Sequence, residues 1–172
     1  KEAKVGKDGQ AYETSIEEIM QIIKGPDFPT GGYIYDSANI LEVYKKGKGS
    51  IVMRGKTHVE EAKNGKIIVI DEIPYLVNKA TLVAKIGELV VDKKIEWVTD
   101  IRDESSKNIM RVAIYIKSEI DPYSILVQLY KQTDLQSNFN INNVSLVENG
   151  LQPRLLNIKD LLMEFVSFRR SV

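Results

Sequence analysis

From residue 67 to residue 129 the apolar side chains switch between strand spacing and helix spacing in a fixed order, and few folds accommodate that order. The run IIVI at 67–70 is dense in β-branched residues and reads as a buried strand. After Ile73-Pro74-Tyr75 comes Asn78, a helix N-cap, followed by Leu82, Val83, Ile86, Leu89 and Val90 at helical spacing. A strand is predicted over 95–102. The polar run 103–108 then turns the chain, and Val112, Ile114 and Ile116 alternate in another strand over 111–117. Asp121-Pro122 sets an N-cap ahead of a proline at the first helical position, with Ile125, Leu126 and Leu129 on one face beyond it. A last strand is predicted at 144–147.

These six elements run β-α-β-β-α-β, the order of a ferredoxin-like split unit in which two helices cover one face of an antiparallel sheet. The predicted class is therefore α+β, with a helical and hairpin segment before the unit and the start of a long helix after it. Residues 1–13 show no periodicity and read as a lead-in, so 1–14 are set apart from the domain. Ser15 and Glu18 make a capping box for a helix carrying Ile16, Ile19, Met20 and Ile23, and Gly25-Pro26 is predicted to stop it with a left-handed glycine. A second helix is predicted over 37–46, with Ile40, Leu41 and Tyr44 inward. Over 50–61 the period is two. Ile51, Met53 and Val59 share one face, and Arg54, Lys56 and His58 share the other. Asn64-Gly65 reads as a type I′ hairpin turn returning the strand 66–72. Near the end Asn157 caps a helix whose stripe of Ile158, Leu161, Leu162, Phe165 and Val166 is still running at residue 172.

Charge narrows the function classes. The chain has 24 basic and 24 acidic side chains, so its net charge gives no argument for nucleic acid. The distribution does: residues 43–59 hold Lys45, Lys46, Lys48, Arg54 and Lys56, the single histidine His58, and no acid. No apolar run approaches the roughly 20 residues of a membrane span. The polar start KEAKVGKDGQAYE lacks the apolar stretch of a secretory leader, and with no cysteine a reducing, cytoplasmic setting is expected.

Catalytic chemistry is scarce. A Ser-His-Asp triad could centre only on His58, for which the sequence places no orienting carboxylate. Glu60 and Glu61 read as a solvated strand end, and Asp103-Glu104 as part of a polar hairpin. There is no HExxH, DxD or EF-hand spacing, and GKGS at 47–50 lacks the spacing of a phosphate loop, so neither a catalytic nor a metal-binding residue is assigned.

Five motifs occur in one order: GPDFPTGG at 25–32, Tyr44-x-x-Gly-Lys-Gly running on to Arg54, DEIPYLVNKA at 71–80, RDES at 102–105, and LYKQTDLQ at 129–136 with Phe139 and Asn142. Together they resemble the A subunits of bacterial type IIA topoisomerases, DNA gyrase or topoisomerase IV. The resemblance implies an enzyme that cleaves both strands of a duplex through a tyrosine, passes a second duplex, and reseals the break. It implies ATP and Mg²⁺ handled by the B subunit, with no cofactor in this region. Its implied partners are the B subunit, double-stranded DNA, and a second A chain in a homodimer. The cleaving tyrosine of that family follows an arginine, and none of the eight tyrosines here does. The layout implies a tower-like domain over 15–156 and the start of a coiled-coil helix over 157–172, with a monomer expected for this stretch alone.

On this reading Arg54, Lys56 and His58, the turn of Lys45, Lys46 and Lys48, and Lys79 at a helix N-terminus form a phosphate-contacting surface. The element order also fits an RNA-recognition module or a ligand-sensing, dimerising ferredoxin-like domain. Against the first, the strand over 111–117 offers only Tyr115 for base stacking.

Overall fold

The computed structural model describes residues 4–5, 11–12, 14–107, 109–147 and 150–171. Its elements, in chain order, are β1 (Lys4–Val5), β2 (Ala11–Tyr12), α1 (Ile16–Ile22), β3 (Tyr33–Ile34), α2 (Ser37–Lys46), β4 (Lys48–Arg54), β5 (Lys56–Ala62) and β6 (Gly65–Glu72). Then follow α3 (Lys79–Val91), β7 (Val98–Asp103), β8 (Val112–Ile116), α4 (Pro122–Gln132), β9 (Gln136–Asn142), β10 (Val144–Val147), β11 (Gln152–Leu155) and α5 (Ile158–Ser171). The chain forms two compact units, one from the described residues of Lys1–Pro26, Asp36–Ile51 and Phe139–Val172, the other from Asp27–Tyr35 and Val52–Asn138. Most of the expected lead-in lies outside the described residues; within it β1 and β2 pair antiparallel.

The second unit is built on an antiparallel sheet of order β5-β6-β8-β7. One face carries Ile68, Ile70, Val112, Ile114 and Ile116, packed against Leu82, Ile86 and Leu89 of α3 and Ile125, Leu126 and Leu129 of α4. Both helices start where expected: Asn78 Oδ1 accepts from Thr81 N at 3.1 Å, and Asp121 Oδ1 from Tyr123 N at 3.2 Å. The α+β class and the helix-covered antiparallel sheet therefore stand.

The fourth strand does not. The sheet position beside β6 is taken by β5, which precedes the unit, and not by a strand following α4. A hairpin partner joined by two residues reaches that edge with little loop-closure cost, which a strand arriving from α4 cannot match. The predicted strand at 144–147 forms, but as β10 it pairs with β11 in a separate two-stranded sheet. The chain after α4 enters β9 instead, in a sheet of order β3-β4-β9.

Three local expectations change as well. The single strand over 50–61 is two strands in two sheets, divided at Gly55, with a register shift between Lys56 and Thr57. Gly55 N donates to Leu135 O at 2.8 Å, and a Cβ there would press on the Leu135 side chain and the Glu72 carbonyl. In the β5–β6 hairpin Ala62 pairs with Gly65, so the turn residues are Lys63 and Asn64, and neither has the positive φ of a type I′ turn. Gly65 instead sits on the ladder with φ 153° where a side chain would run into the Ile116 carbonyl. Helix α1 ends at Ile22 with Ile23 as C-cap, before Gly25, which has no positive φ.

In the first unit the caps follow the sequence. Ser15 and Glu18 exchange backbone and side-chain hydrogen bonds at 3.1 Å each. Asn157 Oδ1 accepts from Asp160 N at 2.8 Å to open α5. Helix α2 buries Ile40, Val43 and Tyr44, so Val43 takes the inward position expected of Leu41. It closes on Gly47, left-handed at φ 70°, whose N–H reaches the Val43 carbonyl at 2.8 Å. No helix is long and apolar enough to cross a membrane among the described residues.

Candidate nucleic-acid interface

The residues expected to form one basic surface fall in both units. Lys45, Lys46 and Lys48 belong to the first; Arg54, Lys56, His58 and Lys79 belong to the second.

In the first unit Lys45 and Lys46 occupy the last turn of α2, where cations oppose the negative end of the helix dipole. Lys45 Nζ pairs with Glu17 of α1 at 2.7 Å, and Lys46 Nζ with Glu42 one turn back at 2.9 Å. The Lys45 ammonium holds the Glu17 carboxyl below its ordinary range, and Lys46 does the same to Glu42. Lys48 opens β4 and is exposed; among the described residues no carboxylate pairs with it. The left-handed Gly47 lets the chain reverse between Lys46 and Lys48 while its carbonyl accepts from Asn143 N at 2.8 Å.

In the second unit Arg54 is set differently from a solvated cation. Its strand pairs Tyr33 opposite Arg54, and alternation puts Tyr35 on the same face. The guanidinium carbon lies 3.4 Å from the Tyr35 ring centroid and 4.5 Å from that of Tyr130. Nε donates to Gln136 Oε1 at 2.7 Å. Two rings and an amide thus fix the plane of the guanidinium. Lys56, beyond Gly55, is 3.7 Å from Glu72 Oε1.

His58 faces away from the helices, on the side of the sheet where Val69 and Ala113 are fully buried, with Ala62 and Tyr115 packed against their cluster. The expectation that no carboxylate orients it is overturned. Asp71, diagonal to it on β6, lies 2.7 Å from Nδ1, and Glu60, two residues on along β5, lies 2.9 Å from Nε2. Register explains the pairing, since His58 stands opposite Val69 and residues two apart share a face. A carboxylate at each nitrogen favours the doubly protonated ring, and its pKa is raised, first by Asp71 and then by Glu60. Both ring nitrogens face carboxylates and neither faces a nucleophile, so the triad reading fails on geometry.

Glu60 is no solvated strand end either. It receives Arg111 Nη1 and Nη2 at 2.8 Å each, a bidentate pair that, with His58, holds its carboxyl at about 2 against an ordinary 4.5. Arg111 Nε continues to Glu104 at 2.9 Å, and Glu104 accepts from the Tyr115 hydroxyl at 2.9 Å. The open sheet face is thus an ionic lattice, and the one tyrosine an RNA module could have used is engaged in it. Lys79, first residue of α3, pairs with Asp103 at 2.7 Å; that lysine and Ser105 hold the Asp103 carboxyl at about 2. The pair offsets a cation placed at the positive end of a helix. Among the described residues no three His, Asp or Glu side chains converge as metal ligands.

Sequence reasoning missed Tyr33, Tyr35, Tyr130 and Gln136 around Arg54. The alternation Tyr33-Ile34-Tyr35 is the available signal, but it occupies a strand of two residues, too short for periodicity to register.

Residues 8–172 match the family of DNA gyrase/topoisomerase IV A subunits. Similar curated relatives include the DNA gyrase A subunit of Neisseria gonorrhoeae, 53% identical over 93% of this chain and 18% of the relative. Others are a probable chloroplastic/mitochondrial DNA gyrase A subunit of Oryza sativa subsp. japonica, 46% identical over 93% of this chain and 17% of the relative, and the DNA gyrase A subunit of Aminobacterium colombiense, 45% identical over 96% and 20%. The chain spans only those 17–20% of the relatives' length. With the family match covering nearly the whole chain, the protein belongs to the DNA gyrase/topoisomerase IV A subunit family.

Proposed function

We propose that this chain is the tower-like, DNA-supporting part of the A subunit in a type IIA topoisomerase, and that it binds the duplex backbone without reading sequence. The observation that carries the proposal is the run 43–59, five Lys or Arg and no acid, inside the family-matched segment. The whole enzyme would break, pass and rejoin duplex DNA through a tyrosine elsewhere in the A subunit, with ATP and Mg²⁺ on the B subunit and two A subunits pairing. Its setting would be the cytoplasm. This stretch would act as a monomer and cleave nothing, since no tyrosine in it follows an arginine.

The lysines of α2 and β4 would contact phosphates as point charges. Lys45 and Lys46 would leave exposed carboxylate partners to do so, an exchange of small cost because exposed ion pairs contribute little. Replacing Lys45, Lys46 and Lys48 by Gln tests this by fluorescence anisotropy on a labelled duplex. Three phosphate contacts correspond to a change of about 2.7 in the slope of log affinity against log salt. An unchanged slope would refute the contact. A covalent protein–DNA adduct in a denaturing gel would refute the non-catalytic reading.

A further inference from the structure

We infer that the groove around Arg54 binds an unstacked nucleotide, with the base laid against tyrosine rings and the phosphate on the outer edge of the guanidinium. The groove lies wholly within the second unit and encloses about 570 Å³, within the range of about 300–1,000 Å³ usual for small-ligand sites. Its lining contains four tyrosines (Tyr33, Tyr35, Tyr123 and Tyr130), the cations Arg54 and Lys131, and no carboxylate. Both halves of a nucleotide therefore meet complementary chemistry.

Arg54 supplies the phosphate half. Its Nε is taken by Gln136 and its plane is fixed against Tyr35 and Tyr130, while among the described residues no group accepts from Nη1 or Nη2. An oriented fork with two unused donors suits the two oxygens of a phosphate, and Lys131 adds a second positive charge. The tyrosines supply the base half. Tyr33, Tyr35 and Tyr123 are 57%, 63% and 69% exposed, and Tyr35 meets Arg54 on its ring, so aromatic surface stays open beside the cation. Aromatic faces beside cations bind bases whose own faces are uncovered, as in single strands; in a duplex those faces are stacked on neighbours. The inference goes beyond duplex backbone contact by Lys45, Lys46 and Lys48, which involves none of these tyrosines.

An unstacked nucleotide can come from a single strand or from a free mononucleotide, and binding assays on the 172-residue chain separate them. Labelled dT10 is titrated by anisotropy at fixed salt, with unlabelled duplex of equal length, dTMP and poly-glutamate as competitors. Expected are preference for dT10 over duplex, and at least fivefold weaker dT10 binding in Tyr35→Ala and in Tyr123→Ala, from stacking worth about 1–3 kcal/mol per base. Tyr35→Trp, which keeps a ring over Arg54, is expected to bind dT10 at least as well as the parent. Competition by dTMP would place a lone nucleotide in the groove; its absence, with dT10 binding retained, would assign the site to a strand. Equal affinity for dT10 and duplex, unchanged binding in both alanine variants, or equal competition by poly-glutamate would overturn the inference. The lysine-dependent salt slope on duplex is read independently, so either proposal can fail alone.

Discussion

Gly47 joins the fold to the basic turn, and its replacement gives a measurable test of both. It caps α2 at φ 70°, between Lys46 and Lys48, and a Cβ there would run into the Leu156 carbonyl and Asn157 backbone. In Gly47→Ala the left-handed conformation costs an ordinary residue about 1–2 kcal/mol. Relieving the backbone clash costs a further 1–3 kcal/mol or so, as overpacking does elsewhere. Alanine's smaller unfolded-state entropy returns about 0.4–1 kcal/mol. The net expectation, from these three magnitudes, is a loss of about 3 kcal/mol. At roughly 2–4 °C per kcal/mol for a chain of this size, calorimetry should show the thermal midpoint fall by about 6–12 °C. Gly87→Ala is the control. Gly87 lies inside α3 with nothing within 4 Å of a built Cβ, so alanine should stabilise by about 0.5–1 kcal/mol and raise the midpoint by a few degrees. A Gly47→Ala protein melting within about 1 °C of the parent would refute the claim that glycine is required at this turn.

Two further outcomes are expected. Stability should fall on both sides of a plateau in pH. The raised pKa of His58 means its contribution is complete below the ordinary 6.5 and is lost as pH rises through the folded value. Glu60 and Asp103, held at about 2, contribute above their ordinary 4.5 and 3.8 and lose that contribution as pH falls toward 2. His58→Gln should flatten the high-pH arm of a melting series; an arm of unchanged slope would disprove the assignment. Ile114→Ala, at a fully buried site on the sheet face that the two helices cover, should cost about 2–5 kcal/mol in urea unfolding, and a smaller loss would contradict the packing described.

Helices are legible in the sequence because their determinants are local. Ser15, Asn78, Asp121 and Asn157 each cap through a backbone group two or three residues away, and the stripes behind them are continuous. Strand partnership is not, because it is decided by edges far away in sequence. QSNFNIN, the sequence of β9, is largely polar and weak in strand propensity, yet it forms a strand beside β4. The site divides in the same way. A cation-rich run is visible in one dimension, but the acids that meet it are not: Asp71 reaches His58 across a hairpin, and Asp103 reaches Lys79 from another strand. Period-two alternation carried straight through Gly55 puts Arg54 and His58 on a common face, which the change of sheet abolishes.

Those partners bear on how firmly DNA could be held. A phosphate approaching Lys45 or Lys46 competes with Glu17 or Glu42, and one approaching His58 meets two carboxylates already in place. In each case the incoming charge replaces an existing one, so the gain is the difference between two similar interactions. Lys48 and the Nη edge of Arg54 differ, having no carboxylate to leave among the described residues. Duplex contact should therefore concentrate on Lys48, with the paired lysines raising the salt dependence more than the affinity, while the Arg54 edge is left to the unstacked nucleotide inferred above. A net charge of zero adds no long-range attraction to that balance. Binding by this stretch alone should then be weak and readily reversed by salt, which is what the proposed duplex-supporting role would require.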